Sequence, residues 1–89
     1  MPYIVQTSLN GRPQIKSGYT LSDDLDVVRD LYKAFIKNTV AEVERAYPGQ
    51  VIQLPLKPDG RLLEGVRIMA TDGAGGHQGD VYTVELRKV

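Results

Sequence analysis

Apolar residues recur at spacings of three and four through the middle of the chain: Leu21, Leu25, Val28, Tyr32, Phe35, Thr39, Val43 and Ala46. That period places them on one stripe of a helix. Val27, Leu31, Ile36 and Val40 widen the apolar surface, so more than one side of this helix needs cover. Thr20-Leu21-Ser22-Asp23 offers side-chain oxygens to cap its start, and Asp23, Asp24, Asp26 and Asp30 suit the positive end of its dipole. Lys33, Lys37 and Arg45 lie toward the other end, and Pro48-Gly49 stops it. A helix over residues 21–47 would run about 40 Å, longer than the sheet of so small a domain covers. Part of its apolar surface is therefore expected to meet another chain.

Around the helix the pattern is that of strands. Tyr3 to Leu9 is dense in β-branched and aromatic residues and ends at Asn10-Gly11, whose tolerance of positive φ suits a type I′ hairpin turn. Arg12 to Gly18 is its return, and Pro13 argues that this strand lies at a sheet edge or is short, because proline cannot donate a ladder bond. Val51 to Leu56 alternates, with Ile52, Leu54 and Leu56 on one side and Val51, Gln53 and Pro55 on the other, and Pro55 again marks an edge or a bulge. Lys57-Pro58-Asp59-Gly60 is turn chemistry. Leu62 and Leu63 lead through Gly65 into Val66 to Thr71, and Val81 to Val89 closes the chain with Tyr82, Val84 and Leu86 on one face and Thr83, Glu85 and Arg87 on the other.

This order, β-β-α-β-β-β, predicts a single α+β domain over residues 1–89. It has two layers: an antiparallel-rich sheet of four to five strands, and one long helix across one face. The order resembles that of the β-grasp (ubiquitin-like) fold. The expected core is Leu25, Val28, Phe35, Ile52, Leu54, Val66, Ile68, Val84 and Leu86.

Composition narrows the chemistry. Among 89 residues, eleven basic and eleven acidic side chains give a formal net charge of zero, which removes the bulk cationic charge behind non-specific phosphate binding. Lys57, Arg61, Arg67, Arg87 and Lys88 are read as a solvated face rather than a nucleic-acid patch, and no nucleic-acid partner is expected. Of the tyrosines, Tyr3, Tyr19 and Tyr47 are the exposed candidates. With no cysteine there are no disulfides, thiolate metal sites or cysteine nucleophile. No apolar run is long enough to span a bilayer and the first ten residues lack secretory-signal features, so a cytoplasmic protein without a membrane partner is expected.

Candidate chemistry concentrates in Asp72 to Asp80, which holds four of the nine glycines and the one histidine. The ligand-binding candidates are Gly73, Gly75, Gly76, His77 and Gly79. Glycine-rich loops present backbone N–H groups to phosphate, but the well-understood ones lead into a helix, and here a strand follows. A mobile hairpin connection is the favoured reading, and a phosphate or small-molecule loop the alternative. His77 suits acid–base work or metal ligation, but a metal would need Asp72, His77 and Asp80 to converge, and no metal or other cofactor is expected. Ser8, Ser17 and Ser22 read as strand, turn and cap residues rather than nucleophiles, and Asp23 and Asp24 as helix-start residues, so no catalytic residue is assigned.

Pro2-Tyr3-Ile4-Val5, a strand opening directly on the residue after Met1 with a helix to follow, resembles the tautomerase superfamily. That resemblance implies Pro2 as a general base once methionine is lost. An inserted hairpin at Asn10-Gly11 and a longer helix depart from it. With no catalytic constellation, the leading expectation is a non-enzymatic interaction module: an adaptor, regulator or inhibitor. Its partner would be another protein or itself, most simply as a homodimer, through a helix stripe or a strand edge.

Overall fold

A computed structural model describes residues 2–14 and 22–89 and has the expected element order. Strands β1 (Tyr3–Leu9) and β2 (Arg12–Gln14) precede helix α1 (Leu25–Ala46), and β3 (Val51–Pro55), β4 (Leu62–Thr71) and β5 (His77–Lys88) follow it. The five strands form one sheet in the order β2-β1-β5-β4-β3, and every ladder in it is antiparallel. The two ends of the chain therefore lie side by side at its centre, with Tyr3 opposite Lys88 and Leu9 opposite Tyr82.

Asn10 and Gly11 take φ of 51° and 83°, the left-handed pair that a type I′ turn requires. Pro13 sits in the edge strand β2 opposite Ser8, where its missing N–H breaks no interior ladder. The second half of the expected return strand and the Thr20-Leu21 portion of the helix start lie outside the described residues. The helix begins at Leu25 rather than Leu21. Tyr3 N–H donates to Ser22 O at 2.8 Å, which holds Ser22 extended, so Asp24 becomes the N-cap and its carboxylate accepts from the N–H groups of Asp26 and Val27. At 22 residues the helix is about 33 Å long.

The core lies between α1 and one face of the sheet. Val5, Val28, Tyr32, Val43, Val66, Ile68, Ala70, Val84 and Leu86 are buried, and Leu25, Leu31, Phe35, Ile36 and Val40 pack against them half-buried. The wide apolar surface of the helix is thus mostly used, and Val27, 51% exposed, is the large apolar side chain it leaves outside. Burial pushes the Tyr32 phenol above its ordinary pKa, with the nearby Glu64 carboxylate adding to it. Glu64 accepts from Arg29 Nε at 3.1 Å, a surface pair tying helix to β4.

Two core assignments are corrected at β3. Val51, Gln53 and Pro55 stand opposite Ala70, Ile68 and Val66, so they share the helix-facing side. Ile52 and Leu54 stand opposite Met69 and Arg67 and face away from the helix, leaving Leu54 46% exposed. Alternation shows which residues share a face; only the register against β4 decides which face meets the helix. Phe35 is half-buried at the margin rather than central. Tyr3 and Tyr47, expected at the surface, also pack half-buried against the core, while Tyr19 lies outside the described residues.

Candidate functional site

The glycine-rich segment is a tight turn followed by a bulged strand. Ladder pairing resumes with Thr71 opposite His77, so β5 begins four residues before the expected Val81 and only residues 72–76 connect the strands. Asp72 closes that turn: its Oδ1 accepts from Ala74 N–H at 2.7 Å and Gly76 N–H at 3.0 Å, and its own N–H donates to Gly76 O. These N–H bonds, with a smaller contribution from His77, hold the Asp72 carboxyl below the usual aspartate range. Gly73 and Gly75 have φ of 82° and 89°, with open space where a side chain would be, so they meet a backbone requirement of the turn. A Cβ on Gly76 would come within 2.6 Å of Asp72 Oδ2.

Beyond the turn, β5 places Gly79, Asp80 and Val81 against the single residue Met69 of β4. The extra residues form a bulge. Gly79 has φ of 72° and lies under the Tyr47 ring, where a Cβ would meet Oη at 2.7 Å and Cε2 at 2.9 Å. The bulge is welded to the β1–β2 turn. Asn10 N–H donates to Val81 O at 2.8 Å, Val81 N–H donates to Asn10 Oδ1 at 2.9 Å, and Asn10 Nδ2 donates to Asp80 Oδ1 at 3.0 Å.

This weld walls one end of an open groove of about 460 Å³ on the sheet face that α1 leaves uncovered. Met69, Val81 and Thr83 line it, Asn10 and Gly11 border it, and Arg67 and His77 bring positive or titratable groups to it. The register explains the assembly: a row of directly opposed residues crosses the sheet face opposite α1 from Leu54 through Arg67, Thr83 and Ser8 to Pro13. Of the candidates named from sequence, His77 alone lines this groove; Gly73, Gly75, Gly76 and Gly79 shape the turn and bulge beside it. Arg67, Met69, Thr83 and Asn10 were missed as site residues. Alternation alone puts Thr83 on the face away from Tyr82, Val84 and Leu86, whereas the position of Arg67 beside it requires the β4–β5 register.

A smaller cleft, about 180 Å³, lies between the helix end and the bulge, among Glu42, Tyr47, Asp80 and Tyr82. Burial, then the carboxylates of Asp80 and Glu42, raise the Tyr82 phenol above its ordinary pKa. Comparison with protein families, curated proteins and solved structures finds no match. Function therefore rests on the residues themselves.

The other candidate chemistry is dispersed. Asp72 and Asp80 point their carboxylates into different hydrogen bonds, and the described residues contain no group of three potential metal-ligating side chains of the His, Cys, Asp and Glu types. Ser8 is buried in β1, Ser22 Oγ accepts from Asp24 N–H, and Ser17 lies outside the described residues. Pro2 is at the opposite end of β5 from His77, where its carbonyl accepts from Val89 N–H. Arg87 pairs with Glu85 at 2.9 Å. No helix among the described residues is long and apolar enough to cross a membrane.

Proposed function

We propose that the protein is a non-enzymatic interaction module that self-associates by pairing two copies along β3. The observation that carries this reading is the character of that sheet edge. Natural edge strands are blunted by charge, proline or brevity. At the other edge, β2 carries the charge of Arg12 and the proline Pro13. β3 has five residues, VIQLP, no charge, and its one proline only at the end.

The ladder also says which groups this edge offers. Leu56 N–H donates to Gly65 O and Thr71 N–H donates to Gln50 O, so even-numbered residues here bond to β4. Val51, Gln53 and Pro55 therefore turn their backbone groups outward, where no described strand pairs with them. A twofold axis at Gln53 pairs the two Gln53 residues through both of their N–H and C=O groups. It sets each Val51 N–H against the Pro55 carbonyl of the other copy. Ile52 then opposes Leu54 across the joint, so the exposed Leu54 gains an apolar neighbour and no like charges meet.

Sedimentation velocity over a concentration series tests this. The wild type should form a dimer with a dissociation constant in roughly the micromolar range. Leu54→Lys, which places a charge at the joint on a side chain the fold leaves exposed, should be monomeric with unchanged circular dichroism. A wild-type chain that stays monomeric to about 100 μM, or a Leu54→Lys variant that dimerises equally well, would overturn the proposal.

A further inference from the structure

The groove on the sheet face opposite α1 starts one strand in from the β3 edge, where Arg67 and Met69 stand opposite Leu54 and Ile52, and has a chemistry of its own. Its floor is apolar, from Met69 and Val81, and Met is a side chain that adapts to varied shapes. Its rim carries the exposed guanidinium of Arg67, which has no ion pair with any described residue, the Thr83 hydroxyl and the exposed His77. The acids close by in sequence or register are already engaged. Asp72 bonds into its own turn, Asp80 accepts from Asn10, and Glu85 accepts from Arg87. Arg67 therefore has no acidic partner among the described residues. The wall is held together by three hydrogen bonds that join the Asn10 turn to the β5 bulge.

We infer that this groove binds a small carboxylate on an apolar body, with Arg67 as the anchor for the carboxylate and Met69 and Val81 as the seat of the apolar part. The planar fork of a guanidinium matches the two oxygens of a carboxylate, and charge-assisted bonds of this kind are the strong ones. The volume is within the range of small-molecule sites. Thr83, directly opposite Arg67 in the ladder, supplies a hydroxyl donor next to the same oxygens. Self-association through β3 is a separate proposal, and either can fail without the other.

The test is a ¹H–¹⁵N titration of the full chain with sodium benzoate, with benzyl alcohol and inorganic phosphate titrated in parallel. Benzoate should give saturable shifts at Arg67, Met69, Val81 and Thr83, with a dissociation constant on the order of 1 mM for so small a ligand. Arg67→Gln, at an exposed position, should keep the spectrum of the fold and weaken benzoate by about tenfold or more. Val27→Ala, on the far side of the helix, should leave benzoate binding unchanged. Benzoate shifts that do not saturate, or an Arg67→Gln variant that binds as well as wild type, would overturn the inference. Benzyl alcohol binding as tightly would remove the carboxylate requirement, and phosphate binding as tightly would remove the apolar one; each contradicts the ligand class proposed.

Discussion

Replacing Gly79 by alanine tests whether the bulge of β5 is seated against the helix end, as its contact with Tyr47 implies. Two costs combine at this position. The left-handed backbone, φ 72°, costs an L-residue about 1–2 kcal/mol, partly offset because alanine has less freedom than glycine to lose on folding. The added Cβ would also meet Tyr47 Oη at 2.7 Å and Cε2 at 2.9 Å, an overpacking expected to cost a further ~1–3 kcal/mol. Gly73 is the internal control, because its φ of 82° imposes the first cost and its open surroundings spare it the second. In urea melts Gly73→Ala should lose about 1 kcal/mol and Gly79→Ala about 2–4 kcal/mol, with unchanged m values. Tyr47→Ala removes the obstruction, so in that background Gly79→Ala should cost no more than Gly73→Ala does, a coupling of about 1–3 kcal/mol. Equal losses for the two glycine variants, or coupling below about 0.5 kcal/mol, would show that the bulge does not rest on Tyr47.

Two further outcomes follow from burial and charge. Ile68→Ala, at a side chain with no exposure, should cost about 2–5 kcal/mol, while Phe35→Ala, half-buried at the helix margin, should cost clearly less; equal losses in denaturant melts would misplace the core. The folded pKa of Asp72 is depressed, so the stabilisation it gives its turn is present above the unfolded aspartate value, about 3.9, and is lost as pH falls through the lower folded value. The amide resonances of Ala74 and Gly76 should therefore hold position down to about pH 4 and move below it, and Asp72→Asn should abolish that acid transition; a transition that survives the substitution would assign it to another group.

How far the fold could be read from sequence differs between its elements, for physical reasons. β1 and its turn were fully legible, because Asn10-Gly11 is a strong local signal and the structure gives both residues the positive φ it implies. Pro13 marks an edge or a short strand and Pro55 an edge or a bulge, since a missing N–H is a property of the residue itself, and the sheet order puts both β2 and β3 at the edges. The helix stripe found Val28, Tyr32 and Val43, but its start was set by a long-range bond from Tyr3 to Ser22 that no local pattern encodes. Alternation pairs Ile52 with Leu54 on one face but has no sign until a partner strand supplies one, so sequence alone cannot show that this face turns away from the helix. His77-Gln78-Gly79-Asp80 has no apolar alternation, so its place in β5 was hidden, and with it the bulge. The candidate groove shows the same limit. His77 stood out by composition, whereas Arg67, Thr83 and Asn10 come together only through the register of three strands and one turn.

The pairing of two copies along β3 is tested most directly by amide hydrogen exchange followed residue by residue at several protein concentrations. In the lone chain Ile52 and Leu54 direct their N–H groups to β4, whereas Val51 and Gln53 direct theirs outward. The account predicts that Val51 and Gln53 become protected as concentration rises through the dimerisation midpoint, while Ile52 and Leu54 are protected throughout. Exchange at Val51 and Gln53 that is fast at every concentration, in a sample shown by sedimentation to be dimeric, would contradict it.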